Sequence, residues 1–119
     1  MRIQNVGIIG QGFVGSALAE IFTNHYKVYT YDKALTNLST HKNVVSLSRV
    51  CELLFVCVPT PMREDGSCDI SIVKEVVQEA CSSGRQNIIA IKSTVPPNTT
   101  KSLQDLCQDS QIVFNPEFL

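Results

Sequence analysis

Three glycines and one acid near the amino terminus have the types and spacing to hold a diphosphate. Gly10, Gly12 and Gly15 stand in Gly10-Gln11-Gly12-Phe13-Val14-Gly15, directly after the apolar run Val6-Gly7-Ile8-Ile9. Asp32 follows at the end of a second apolar run, Val28-Tyr29-Thr30-Tyr31. Three glycines alone mark no more than a turn. A GxGxxG that leaves a strand, opens a helix and is followed by an acid about 20 residues on is a dinucleotide fingerprint. Gly10 allows the tight turn, Gly12 lets a pyrophosphate approach the backbone, and Gly15 lets helix and strand pack closely. The free N–H groups and positive dipole end of the helix face the phosphates. Asp32 accepts from the ribose hydroxyls and repels a 2′-phosphate. NAD is therefore expected over NADP, with the neighbouring Lys33 moderating the preference.

Three further polar residues sit where strands stop. Thr60 lies in Pro59-Thr60-Pro61, Thr94 in Ser93-Thr94-Val95-Pro96-Pro97, and Glu117 in Asn115-Pro116-Glu117. A threonine hydroxyl both donates and accepts, and a carboxylate within reach of a proton serves as a general base. Residue by residue, the plainer readings come first: a strand end, a turn cap, a solvated carboxylate. The five cysteines, Cys51, Cys57, Cys68, Cys81 and Cys107, match no zinc spacing. Their odd number argues against a disulfide framework. Cys57, Cys81 and Cys107 read as buried structural thiols and Cys68 as an exposed one.

The elements that must position these residues alternate. Apolar runs predict strands at Ile3–Ile9, Lys27–Tyr31, Leu53–Val58, Asn87–Lys92 and Gln111–Phe114, with a short third strand at Asn43–Leu47. Helical spacing predicts a helix over 12–23 that buries Val14, Leu18, Ile21 and Phe22. A second begins after the N-cap Asp69, with Ile70, Val73, Val76, Val77 and Ala80 inward. A third has Leu103, Leu106 and Cys107 inward. The expected fold is α/β, a Rossmann-type doubly wound parallel sheet of about six strands in the order 3-2-1-4-5-6, with three αβα layers. Ligands of such sheets bind outside the carboxyl ends of the strands, where every polar cluster above falls. An uncovered apolar stretch from Phe114 to Leu119 predicts self-association or a disordered tail.

The chain has 119 residues, 44% hydrophobic and 18% charged, with a formal net charge of −1. That is one globular domain, residues 1–119, without the basic run that nucleic acid or an anionic membrane attracts. No apolar run approaches the roughly 20 residues of a membrane span, and no signal peptide opens the chain. A cytoplasmic location is expected.

With these motifs in place, the chain resembles the NAD-binding domain of the UDP-glucose/GDP-mannose dehydrogenase family. The resemblance rests on Gly10 to Gly15, Val58-Pro59-Thr60-Pro61, Asp65-Gly66-Ser67-Cys68-Asp69, Lys92 to Thr99 and Asn115-Pro116-Glu117-Phe118-Leu119. It implies an enzyme that oxidises the C6 hydroxyl of a nucleotide sugar to a carboxylate with two NAD molecules. It further implies that Gly10, Gly12, Phe13, Val14 and Gly15 contact the pyrophosphate and that Asp32 and Lys33 hold the adenosine ribose. Thr60 would lie beside the middle of the cofactor, Thr94 near the nicotinamide and a catalytic water, and Glu117 in a polar cluster near the substrate. The family's catalytic cysteine, lysine and asparagine belong to stretches this chain does not contain. The 119 residues are thus expected to bind NAD without full turnover. A stand-alone NAD sensor or regulatory module is the alternative. Asn98 stands where the family usually has glycine.

Overall fold

A computed structural model describes residues 2–115. Five strands, β1 (Asn5–Ile9), β2 (Lys27–Tyr31), β3 (Leu53–Val56), β4 (Ile88–Ile91) and β5 (Gln111–Phe114), form one parallel sheet in the order β2-β1-β3-β4-β5. Four helices connect them: α1 (Phe13–Phe22), α2 (Val44–Val50), α3 (Ser71–Cys81) and α4 (Thr99–Leu106). The direction of travel reverses at β1, which puts α1 on one face and the other three helices on the opposite face. Two cores result. Leu18, Ala19 and Phe22 of α1 pack with Val6, Ile8, Phe55 and Ala90. Val44, Leu47, Val73, Val77, Ala80 and Leu103 of α2, α3 and α4 pack with Ile9, Leu54, Val56, Ile89 and Ile91. Each buried aliphatic side chain contributes about 1.5–3 kcal/mol.

The doubly wound class is the expected one, but the sheet has five strands rather than about six. The segment expected as the third strand, Asn43–Leu47, is the start of α2. Asn43 caps that helix by accepting the Ser46 N–H at 2.8 Å, and Val44, Leu47, Ser48 and Cys51 fall at i, i+3, i+4 and i+7, all buried. Strand β2 therefore lies at the sheet edge, and the loop before α2 closes it. The Thr30 N–H donates to Thr40 Oγ1 at 2.8 Å and Thr30 Oγ1 donates to the Leu38 carbonyl at 2.6 Å, while the Thr40 N–H donates to the Thr30 carbonyl at 2.9 Å. Side chains thus stand in for the missing ladder.

Two helical positions differ from expectation. Ile21 is 62% exposed and Leu106 48% exposed. In α1 the inward positions are Gly15, Leu18, Ala19 and Phe22, and Ile21 falls outside that stripe. In α4 Leu103 and Cys107 fill the inward line. Cys81 and Cys107, read above as thiols, are joined as a disulfide between the end of α3 and the end of α4, with Cα atoms 5.8 Å apart. Packing on one sheet face brings these helix ends together. Cys51 is fully buried, and burial, with Glu52 next to it, pushes its thiol up to about 12. Cys68 is half-buried rather than exposed. Asn98 adopts φ +69, the left-handed conformation in which asparagine can replace glycine. Phe114 is 43% exposed, and the rest of the predicted apolar tail, residues 116–119, lies outside the described residues.

The amino ends of the strands are locked by Glu52. Its Oε1 accepts the N–H groups of Gln4 and Asn5 at 2.7 and 2.8 Å, and its Oε2 meets Arg85 Nη2 at 2.7 Å. Arg85 also donates to the Arg49 carbonyl, and Asn87 Nδ2 donates to the carbonyls of Ser48 and Cys51. Burial acts to raise the Glu52 pKa, but the two N–H groups and Arg85 outweigh it and hold the carboxyl below the ordinary glutamate range. A depressed folded-state pKa contributes stability above the unfolded value and loses it as pH falls through the folded one. Glu52→Gln is accordingly expected to cost about 2 kcal/mol in denaturant unfolding at neutral pH. The difference from the parent chain should shrink once pH falls below the ordinary glutamate range.

Candidate functional site

The carboxyl ends of β1, β2 and β3 open into a cleft of about 880 Å³. Its floor is the turn between β1 and α1. The Gly10 N–H donates to the Tyr31 carbonyl at 2.7 Å and the Cys57 N–H donates to the Ile9 carbonyl at 2.8 Å, so the ladders run to the last residue before the turn. Gly10 then takes φ +98, and a Cβ there would stand 2.5 Å from the Cys57 carbonyl oxygen. A Cβ at Gly15 would overlap the Gly10 carbonyl oxygen. These two glycines are required by the protein's own packing.

Gly12 differs. A Cβ there would meet nothing within 4 Å. Gly12 is also the N-cap of α1, supplies no side-chain cap, and is followed by no acidic residue in the first turn. The first N–H groups of a helix have no acceptor within it, so the end of α1 is left electropositive and sterically open toward the cleft. An anion fits this cradle.

Asp32 is held in place by the loop it faces. Its Oδ2 accepts the Gln11 N–H at 2.7 Å, and its Oδ1 accepts the N–H groups of Ala34 and Leu35, each at 2.8 Å. Burial raises its pKa, but these three donors prevail and lower it, so the carboxylate stays ionised. Its remaining lone pairs are available to hydroxyls in the cleft. Gly10, Gly12, Phe13, Val14, Asp32 and Lys33 all line the cleft, and Gly15 lies behind it as a packing residue. Phe13 is 77% exposed there.

Thr60 and Thr94 lie at the next two strand exits, outside the cleft's lining. They are brought together by residues that sequence reasoning passed over. Ser93 Oγ donates to the Val58 carbonyl at 2.7 Å, and Cys68 Sγ reaches the carbonyls of Thr60 and Thr94 at 4.0 and 3.8 Å. The loop that carries Cys68 folds back through an antiparallel bridge, Met62 to Cys68, around Gly66 at φ +86. Glu117 lies outside the described residues. Also passed over were the walls of the cleft: Leu35 and Val44 after β2, and Ile72, Glu75, Val76 and Glu79 on α3. The last four recur at i, i+3, i+4 and i+7, a signal that was present but lay beside the core stripe of the same helix. Among the described residues, no group of three His, Cys, Asp or Glu could hold a metal ion. No helix among them is long and apolar enough to cross a membrane.

Known proteins share this arrangement. The profile of the UDP-glucose/GDP-mannose dehydrogenase family, NAD binding domain, matches residues 27–119. A UDP-N-acetyl-D-mannosamine dehydrogenase of Methanococcus vannielii is 30% identical over 135 residues, covering 88% of this chain and 32% of its own length. A UDP-glucose 6-dehydrogenase of Bacillus subtilis is 30% identical over 90 residues, covering 69% of this chain and 20% of its own. The UDP-glucose dehydrogenase structure from Pyrobaculum islandicum superposes with a TM-score of 0.86 at 23% identity, over 99% of this chain and 37% of that one, and so shares its fold. The chain spans about a third of the length of the first curated relatives it matches. The chain belongs to the UDP-glucose/GDP-mannose dehydrogenase family, as its NAD-binding domain.

Proposed function

We propose that this chain is the cofactor half of a nucleotide-sugar dehydrogenase that oxidises a sugar C6 hydroxyl to a carboxylate. The observation that carries the NAD site is the empty space at Gly12 beside a helix end without a cap, within reach of an ionised Asp32. The backbone of Gly12, Phe13 and Val14 holds the pyrophosphate, and Asp32, with Lys33, holds the adenosine ribose. The nicotinamide end runs toward Thr60 and Thr94, whose hydroxyls position it and a water. Glu117 takes part in proton handling at the substrate. NAD, when bound, supplies the hydride acceptor. The substrate class follows from the relatives, which are named for UDP-glucose and UDP-N-acetyl-D-mannosamine.

Calorimetry with NAD tests the binding step directly: heat and a thermal shift are expected, and the absence of both overturns it. NADH absorbance after addition of UDP-glucose, GDP-mannose or UDP-N-acetyl-D-mannosamine tests the division of labour. No turnover is expected from the 119 residues alone, and clear turnover would sink that part of the proposal.

The three glycines separate packing from binding. Gly10→Ala and Gly15→Ala should each destabilise the fold by about 2–4 kcal/mol, because the added carbon meets backbone rather than a movable side chain. Gly12→Ala should leave stability within about 1 kcal/mol of the parent and weaken NAD binding by about tenfold or more, since its carbon occupies the pyrophosphate cradle. Thermal melts beside NAD titrations of the three variants give the comparison.

A further inference from the structure

Lys33 follows the ribose-holding acid directly, where a cation would welcome a cofactor carrying a 2′-phosphate. With only Asp32 and Lys33, the two formal charges at this rim cancel. Two carboxylates from across the cleft change that balance. Ile72, Glu75, Val76 and Glu79 share one face of α3 and line the same cleft as Asp32 and Lys33. The aliphatic pair makes an apolar wall suited to a base, and the acids flank it. Glu75 is exposed and Glu79 half-buried. Burial first, and then the adjacent Glu75, push the Glu79 carboxyl up, while Lys33 pulls it down. Lys33 lines the same cleft as Glu75 and Glu79, which form one acidic edge.

We propose that Glu79, together with Glu75 one turn before it, determines cofactor specificity: the pair occupies the charge of Lys33 and leaves the adenosine rim negative, so that the cleft accepts NAD and rejects NADP. A 2′-phosphate carries about 1.5–2 negative charges at neutral pH and would enter a cleft whose charged lining is three carboxylates, Asp32, Glu75 and Glu79, and the cation Lys33. Screening by salt is weaker inside a cleft than on an open surface, so the repulsion persists at ordinary ionic strength. The inference rests on the NAD reading above and adds the residues that set its selectivity.

The test is titration calorimetry of NAD and of NADP with the parent chain, with Glu75→Gln/Glu79→Gln, and with that double variant carrying Lys33→Met. In the double variant NADP affinity is expected to rise by about tenfold more than NAD affinity does. Adding Lys33→Met should erase the gain, because the freed ammonium is what attracts the phosphate, and about 0.5 M salt should shrink it. Both glutamates are at least partly exposed, so folding should survive, and a thermal melt checks this. Should the pair disturb the fold, Glu79→Gln alone carries the test, with a smaller shift in the same direction. An unchanged NADP-to-NAD ratio in a folded variant, or an equal change for both cofactors, overturns the proposal. Failure of the parent chain to bind NAD overturns the underlying reading instead, and the two failures are distinguishable.

Discussion

The two tightest glycine positions in the described residues are set by backbone. Gly10 lies against the Cys57 carbonyl, and Gly15 lies against the Gly10 carbonyl. At that crossing the end of β1, the start of α1 and the end of β3 share a space that no Cβ can enter. The arrangement fixes where α1 begins and how close it lies to the sheet. Gly15 is the buried residue of α1, while Ile21 stands in solvent. The electropositive helix end is thereby aimed across the sheet's carboxyl edge. Gly12 sits one step outside the crossing, where an added Cβ would meet nothing within 4 Å.

Asp32 couples that geometry to the cleft. A carboxylate placed only to hold a ribose could be carried by any rigid strand end. Here the same group also accepts the Gln11 N–H from the middle of the glycine turn and two N–H groups of its own following loop. The turn and the tip of β2 are thus tied through the carboxylate that lines the cleft. The three donors keep it charged, which stabilises the loop and preserves its capacity to accept hydroxyls. Stability is concentrated at the other end of the sheet, where Glu52, Arg85 and Asn87 cross-link the strand entrances. The carboxyl ends are left with loops and open helix termini.

Much of this was legible in the sequence because local signals agreed with the final packing. Strands β2 and β5 begin and end where their apolar runs do, and the buried line of α3 at Val73, Val76, Val77 and Ala80 follows from spacing alone. The failures have physical causes. The valine pair at 44–45 reads as strand by propensity, but Asn43 supplies a cap and the next apolar residues fall at helical intervals, so burial against β1 and β2 decides for helix. Leu106 is apolar at a position that α4 turns outward. The Cys81–Cys107 pairing depends on two helices meeting in space across 26 residues, which spacing does not reveal. The gathering of Thr60, Cys68 and Thr94 is of the same kind, made by a returning loop and not by any periodic pattern.

Helix α3 shows why the site was harder to read than the fold. One of its faces, Val73, Val77 and Ala80, closes the core, and a second, one or two residues earlier at each step, presents Ile72, Glu75 and Glu79 to the cleft. Val76 belongs to both. A hydrophobic periodicity search finds the first face and assigns the second to solvent, because acids beside a core stripe usually are solvated. Only the position of the neighbouring strand end, with Asp32 and Lys33 on it, turns that second face into the wall of a binding site. The core face is fixed by where water is excluded and so is written in hydrophobicity. The cleft face is fixed by what lies opposite, which is a property of the crossover between β3 and β4 and not of the helix itself.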